Sequence, residues 1–189
     1  DIPGGEKWIK SIEYNKKIKN VLDKIENKTF NENDVDDLFY VLKNDYSKEY
    51  ENQYKVKLEK VCKDDIVLEG IAKKFNTTKD KIYTGKEDIN KCIVALENVS
   101  LEKATEFNFK YILRNIYLDN GNITNLESLI YVGWSANFYN SKDINLKNLE
   151  SIRGDAIFRN CENVNLENLE SIGGDAFFGG SNITDLGNL

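Results

Sequence analysis

The sequence contains no histidine and no methionine, and it has one proline and three cysteines in 189 residues. A chain without histidine cannot form a Ser-His-Asp or Cys-His catalytic site, nor a zinc site with histidine ligands. Three cysteines cannot complete a four-cysteine zinc site either. These absences exclude most hydrolase and zinc-enzyme chemistries. We therefore expect a protein that is not an enzyme, with no catalytic residues, no cofactor and no bound metal.

The three cysteines also bear on the cellular compartment. Cys62, Cys92 and Cys161 are odd in number and widely spaced, which argues against a disulfide framework and for a reducing environment. No apolar run approaches the roughly 20 residues of a membrane-spanning helix, and no apolar stretch near the start resembles a signal peptide. The sequence predicts a cytoplasmic protein that does not interact with a membrane.

Residues 1–105 have the pattern of an all-helical domain. Apolar residues recur three and four positions apart among Lys, Glu, Asp and Asn, which is the spacing of one helix face. Thr84 and Glu87 have capping-box spacing, which predicts a helix through Leu96, and Ser100 is a candidate cap for a short helix after it. The predicted earlier helices are a first that carries Trp8, Ile12, Ile18, Val21, Leu22 and Ile25, a second from about 33 to 42 capped by Asn31 or Asn33, and a third from Ser47 to Cys62. Residues 66–75 form either another helix or a continuation of the third.

From residue 106 the sequence repeats every twenty residues. A period near twenty is typical of a solenoid, in which each coil buries its apolar residues by stacking on its neighbours. The sequence therefore predicts an α+β protein, with an all-α domain at residues 1–105 that caps a short β-solenoid of about four coils at residues 106–189. The apolar columns are Leu126, Leu146, Leu166 and Leu186; Leu129, Leu149, Leu169 and Leu189; Ile112, Val132, Ile152 and Ile172; Ile116, Ala136, Ala156 and Ala176; and Leu118, Phe138, Phe158 and Phe178.

Polar residues follow the same period. Stacked coils can align such side chains into hydrogen-bonded ladders that satisfy the backbone at the corners. The final coil has no following coil in this sequence, and we expect its uncovered end to form a homodimer contact. The two polar columns are Asn125, Asn145, Asn165 and Asp185, and Ser128, Asn148, Asn168 and Asn188.

Two phrases of the repeat resemble a known family. LESIRGDAIFRNC at 149–161 and LESIGGDAFFGGSNI at 169–183 are similar to BspA-type leucine-rich repeats, whose hallmark is Ser-Ile-x-x-x-Ala-Phe, then a Cys or small residue, then Leu or Ile. The Leu-x-x-Leu-Glu-Ser-Ile-x-Gly phrase also resembles the receptor L-domain. The resemblance covers residues 106–189 and implies a curved, strand-lined solenoid that binds protein partners. Residues 1–105 resemble no family that we identify.

The excess negative charge lies on the repeat. Residues 106–189 hold 11 acidic and 6 basic side chains, a net charge of −5, which leaves −1 of the total of −6 for residues 1–105. Repeated acidic residues form either a solvated face or a surface that docks on a basic partner. The acidic residues at fixed positions of the repeat are Glu127, Glu150, Asp155, Glu167, Glu170 and Asp175.

Three aromatic residues interrupt the repeat at positions predicted to face outward, namely Tyr131, Trp134 and Tyr139. Exposed aromatic side chains on a rigid scaffold are common anchors of protein interfaces, although a tryptophan is also commonly a core residue. Our candidate partner-binding residues combine these aromatics with part of the acidic set: Tyr131, Trp134, Tyr139, Glu150, Asp155, Glu170 and Asp175.

Residues 71–83 resemble a helix-turn-helix motif, in which Asn76 would occupy the turn. The candidate DNA contacts are Lys73, Lys74, Lys79 and Lys81. The second helix would have about six residues, which is short for the major groove. A structural helix-loop-helix is the other interpretation of this segment.

We therefore expect a non-catalytic protein-binding module whose partner has a basic surface. One specific hypothesis is an inhibitor of a larger nucleic-acid-handling enzyme, similar to an anti-CRISPR protein. The alternatives are a DNA-binding regulator that uses residues 71–83 and a bacterial surface adhesin of the BspA type.

Overall fold

The computed structural model describes residues 5–43, 52–102, 106–118, 125–183 and 185–189. The chain forms two compact units, Asp1–Lys79 and Asp80–Leu189. The first unit is helical, and the second is a β-solenoid of about four turns. The predicted α+β class is confirmed. The predicted contact in which the helical domain caps the solenoid stays a prediction.

The helical unit contains four α-helices in its described residues. Each helix has at least one buried apolar residue, because apolar residues three and four apart share one face. The helices are α1 (Gly5–Glu26), α2 (Val35–Lys43), α3 (Asn52–Val61) and α4 (Asp65–Lys74). The predicted start of the third helix at Ser47 lies outside the described residues.

The buried face of α1 differs in part from the predicted one. Ile18 and Val21 are buried as expected, but Ile12 is 48% exposed. Tyr14 is buried instead, and its hydroxyl donates a hydrogen bond to the Val41 carbonyl at 3.3 Å. Tyr14 lies four residues before Ile18, so it continues the same face more directly than Ile12 does.

A 3₁₀ turn at Glu32–Asp34 precedes α2, and Asn31 caps it. The Asn31 side chain accepts a hydrogen bond from the Asn33 amide, and the Asp34 carboxylate accepts one from the Asn31 amide, both at 3.0 Å. This reciprocal pair is a capping box. Of the two predicted caps, Asn31 is the one that the structure uses.

The helix predicted from Thr84 through Leu96 is wrong. The short helix predicted after Ser100 lies partly outside the described residues, although Ser100 itself belongs to a strand. The Glu87 carboxylate accepts a hydrogen bond from the Thr84 amide, as in a capping box, and it accepts a second one from the Thr84 hydroxyl. No α-helix follows among the described residues 84–102, where the chain instead forms strands at Val94–Ala95 and Val99–Ser100. The Thr84–Glu87 bonds therefore stabilise a turn here, and apolar residues that follow, such as Cys92, Ala95 and Val99, pack into the solenoid core.

The solenoid consists of short parallel strands of two residues each. The strands are β1 (Ile82–Tyr83), β2 (Val94–Ala95), β3 (Val99–Ser100), β4 (Tyr111–Ile112), β5 (Ile116–Tyr117), β6 (Tyr131–Val132), β7 (Ala136–Asn137), β8 (Ser151–Ile152), β9 (Ala156–Ile157), β10 (Ser171–Ile172) and β11 (Ala176–Phe177). They form two sheets, ordered β1-β2-β4-β6-β8-β10 (the first sheet) and β11-β9-β7-β5-β3 (the second sheet). The chain passes through both sheets in each full coil.

The strand register explains where the sequence repeat begins. Ile112 pairs with Val132, and Val132 pairs with Ile152, so each step covers the predicted twenty residues. Ala95 pairs with Ile112, a step from 95 to 112 of only seventeen residues. Residues 101–110 connect β3 to β4, whereas the longer segment 118–130 connects β5 to β6. The coil that contains β2 and β3 is thus hydrogen-bonded in register with the following coil, but it does not follow the twenty-residue repeat of the sequence.

The five predicted apolar columns form the solenoid core, since their members in the middle coils are almost fully buried. One column is a stack of phenylalanine rings. Phe138 and Phe158 stack with centroids 5.1 Å apart, and Phe158 and Phe178 stack at 5.7 Å. The burial of the core side chains decreases in the last coil, where Phe178 is half-buried and Leu189 is 52% exposed.

We predict that Phe158→Ala lowers the free energy of unfolding by about 3–5 kcal/mol, because it leaves a cavity between two stacked rings in a fully buried site. Phe178→Ala is the matched control, since Phe178 has a ring neighbour on one side and is partly exposed. We expect a clearly smaller loss there. Urea unfolding of both variants measures the difference, and equal losses would contradict the stacked core.

Burial raises the pKa of the Cys161 thiol, which lies in the core and donates to the Phe138 carbonyl. Below the pKa of about 8.5 that a thiol has in the unfolded chain, the Cys161 thiol is protonated in both the folded and the unfolded protein. The buried, protonated thiol then makes its full contribution to the stability of the folded state. We predict that this contribution is lost as the pH rises through the folded pKa. The variant Cys161→Ser introduces the residue found at Ser141 and Ser181. Between pH 7 and pH 10, its free energy of unfolding, measured by urea titration, should fall less than that of the wild type. Parallel pH profiles would rule the effect out.

Candidate functional site

Side chains at one corner of the solenoid form a ladder between coils. The corner ladder consists of Asn98, Asn115, Ser135, Asp155 and Asp175, each of which precedes a strand of the second sheet. The side-chain oxygen of each of the first four members accepts a hydrogen bond from the backbone amide of the next member, at 2.9–3.1 Å. Because a strand of two residues supplies few backbone bonds, these side chains strengthen the stacking of the coils.

The two polar columns predicted to form ladders lie at a second corner, and among the described residues only the column of Asn148 and Asn168 has side chains that bond the backbone of another coil. Asn125, Asn145 and Asn165 each accept a hydrogen bond from the amide two residues ahead, at 3.1–3.2 Å. Asn148 and Asn168 each donate to a carbonyl of the preceding coil at 2.8 Å. Such local bonds satisfy the backbone where the chain turns.

A shallow groove of about 320 Å³ lies beside this second corner. Ile130 and Glu150 line it directly before strands β6 and β8, and Lys110 lines it before β4. The remaining lining residues are Glu127, Ser128, Asn148 and Asn168. The groove therefore combines one basic, two acidic and several neutral polar groups on a stacked framework.

The charged groups of the groove differ in their bonding. One Glu127 carboxylate oxygen accepts a hydrogen bond from the Asn145 side chain at 2.9 Å. Lys110, Glu150 and the next member of the Glu150 column, Glu170, are exposed, and their side chains have no hydrogen bond or ion pair with another described residue. Their charges are therefore available to a partner.

The structure separates the seven predicted partner-binding residues into several places. Glu150 and Glu170 stack in adjacent coils, and the Glu170 amide donates to the Glu150 carbonyl at 2.9 Å. Asp155 and Asp175 belong to the corner ladder, where the Asp155 carboxylate bonds the backbone. Only Glu150 lines the groove.

The predicted aromatic residues also occupy different positions. Tyr131 lies in β6 and is half-buried, while Tyr139 follows β7 and is 51% exposed. Trp134 is half-buried with the Arg114 guanidinium 5.1 Å from its ring centroid, and its buried Nε1 has no acceptor among the described residues. Trp134 therefore packs against the protein's own surface and is less available as an anchor than Tyr139.

Lys110, Ile130 and Asn148 were missed as site residues by the sequence reasoning. The signal that identifies Lys110 and Ile130 is the twenty-residue register itself, because positions 110, 130, 150 and 170 form one column. The sequence reasoning selected only the acidic members of that column.

The helix predicted for the second half of the helix-turn-helix is wrong. Ile71 to Lys74 belong to α4, and Asn76 has the left-handed conformation expected for the turn, with φ of 49°. The chain then forms a three-residue 3₁₀ turn, Lys79–Lys81, and enters β1. The segment therefore lacks a recognition helix.

Three of the four candidate DNA-contacting lysines form ion pairs within the protein. Lys73 pairs with Glu32, Lys74 with Asp36, and Lys79 with Asp65, at 2.6–2.7 Å. The hydrogen bonds from Lys73 and Lys79 lower the pKa of Glu32 and of Asp65, respectively. Lys81 lies half-buried in the 3₁₀ turn. These pairs reduce the positive charge that the segment offers to a phosphate backbone.

In the described parts of the chain, no three His, Cys, Asp or Glu side chains are grouped closely enough to hold a metal ion. None of the helices described is long and apolar enough to cross a membrane.

No family model matches the chain, and neither a curated protein nor a solved structure matches it. The solenoid is thus supported by its own geometry, and the resemblance to BspA-type repeats stays a prediction.

We predict that Asp155→Ala lowers the free energy of unfolding by about 1 kcal/mol, because the Asp175 amide loses its acceptor in the ladder. Asp155→Asn keeps an acceptor oxygen at the same position and should have little effect. Asp175→Ala is the matched control, since no described amide donates to the Asp175 side chain. Chemical denaturation compares the three variants. If Asp155→Ala and Asp175→Ala have the same effect, Asp155 has no special role in the ladder.

Proposed function

We propose that the protein is a non-catalytic protein-binding module that holds a basic segment of its partner along the groove. The main support for this proposal is that Glu150 and Glu170 are stacked in adjacent coils. Both side chains are exposed, and neither is neutralised by another described residue. Glu150 lines the groove together with Glu127, which adds a second carboxylate to the lining.

The stacking of the coils makes this pair effective. Neighbouring coils lie about 4.8 Å apart, so the two carboxylates repel each other when the groove is empty. A lysine or arginine that binds between them relieves this repulsion and gains two charge-assisted hydrogen bonds. Because the column is fixed by backbone bonds between coils, little backbone ordering is needed on binding.

The specific form that we propose is an inhibitor of a larger nucleic-acid-handling enzyme, similar to an anti-CRISPR protein, which acts in the cytoplasm. Enzymes that hold nucleic acid have strongly basic surfaces. The net charge of −5 on residues 106–189 supports attraction to such a surface. In this form the solenoid would compete with the phosphate backbone for the enzyme.

The charge distribution favours a different protein as the partner over a second copy. The predicted homodimer would join two last coils, where the core residues Leu186 and Leu189 are 40% and 52% exposed. Asp175 and Asp185 are exposed in the same coil, and residues 171–189 contain no basic residue. Two copies docked through this end would bring like charges together, which opposes association.

The test is selection from a random peptide library displayed on phage, with the full chain as bait. We predict that the peptides bound by the wild-type protein are enriched in Lys and Arg and lose affinity as salt rises, because the attraction is electrostatic. The double variant Glu150→Arg, Glu170→Arg should instead enrich Asp and Glu.

The control variant is Glu102→Arg, which makes the same change of charge at an exposed position after β3. It should select the same basic peptides as the wild type. Selection without a preference for basic residues, or the same peptides with the double variant, would contradict the proposal.

A further inference from the structure

One column, whose first three members line the groove, carries an ordered change of charge. Lys110, Ile130, Glu150 and Glu170 occupy equivalent positions directly before β4, β6, β8 and β10. Each amide donates to the carbonyl of the preceding member at 2.9 Å, from Ile130 to Lys110, from Glu150 to Ile130 and from Glu170 to Glu150. The column therefore runs from basic through apolar to acidic along the solenoid.

We propose that the groove binds an extended partner segment with one acidic, one apolar and one basic side chain on the same face, in that order along the column. This inference rests on the proposed function and adds the order of charges to it. The acidic side chain would lie at Lys110, the apolar one at Ile130, and the basic one at Glu150 and Glu170.

The spacing of an extended chain fits the column. With about 4.8 Å between coils, Lys110 and Glu170 are separated by roughly 14 Å along the stack. An extended chain rises about 3.3 Å per residue, and alternate side chains share a face. Side chains at the first, third and fifth positions of a segment thus cover about 13 Å and reach all three kinds of group.

The neighbouring column gives no such order. Its members are Glu127, Lys147 and Glu167, in which a basic residue stands between two acidic ones. Of these, only Glu127 lines the groove. Of the two columns, only the ordered one can therefore distinguish which end of a bound segment carries the acidic side chain and which end carries the basic one.

The test uses synthetic fluorescent peptides and the full chain, with fluorescence anisotropy as the measurement. The reference peptide carries Arg, Leu and Glu at alternating positions separated by Gly. We expect it to bind about two- to fivefold more tightly than the same peptide with Gln in place of Glu, the range that one exposed ion pair supplies. Moving Glu by one residue, to the opposite face, should remove this gain.

The variant Lys110→Glu should reverse the preference, so that the Gln peptide binds more tightly than the Glu peptide. Lys110 is exposed and forms no ion pair with a described residue, so this variant should fold normally, which circular dichroism checks. The control Lys147→Glu makes the same charge change in the neighbouring column and should keep the wild-type preference.

Two further outcomes separate the two proposals. If binding requires Arg but the Glu and Gln peptides bind equally, the order of charges is overturned and the basic-partner groove remains. If replacing Arg by Gln does not weaken binding, the proposed function is overturned together with the inference.

Discussion

The hydrogen bonding between coils is the constraint on which the solenoid depends. Each strand has only two residues, which is too short to be stable alone, so every strand needs the strands of adjacent coils. Backbone bonds such as Gly133 amide to Ile112 carbonyl, at 2.7 Å, fix the register. That register stacks the apolar columns, including the phenylalanine rings, and it also places Ile130, Glu150 and Glu170 in one row beside the groove.

The same stacking gives acidic residues of one sequence period two different roles. Asp155 lies at a corner where the amide of the next coil needs an acceptor, and its carboxylate supplies one. Glu150 stands before a strand, where the backbone groups are already bonded between coils, so its carboxylate remains available. The negative charge of the repeat is therefore partly structural, and the carboxylates that bond no backbone group remain exposed to solvent.

The sequence predicted the α+β class, the twenty-residue register and the buried columns, because equivalent positions in successive coils pack against one another and need similar apolar residues. It failed for residues 84–102, where the Thr84–Glu87 capping box and apolar spacing suggested helices. The first coil is three residues shorter than the others, so Ala95 aligns with Ile112 in space but not in the period. The site was predicted only in part. Charge identified Glu150 and Glu170, and the twenty-residue period aligns Lys110 and Ile130 with them. The groove itself depends on how the chain turns before each strand, which periodicity alone does not describe.

We propose the ordered column beside the groove as the contact surface. A titration of the isotope-labelled full chain with a basic peptide, followed by amide chemical shifts in NMR spectra, tests this proposal. We expect the largest shift changes at Ile130, Asn148 and Glu150, with little change at Tyr139 and Arg159 beside the second sheet. Largest changes at Tyr139 and Arg159, or in the helical unit, would contradict it.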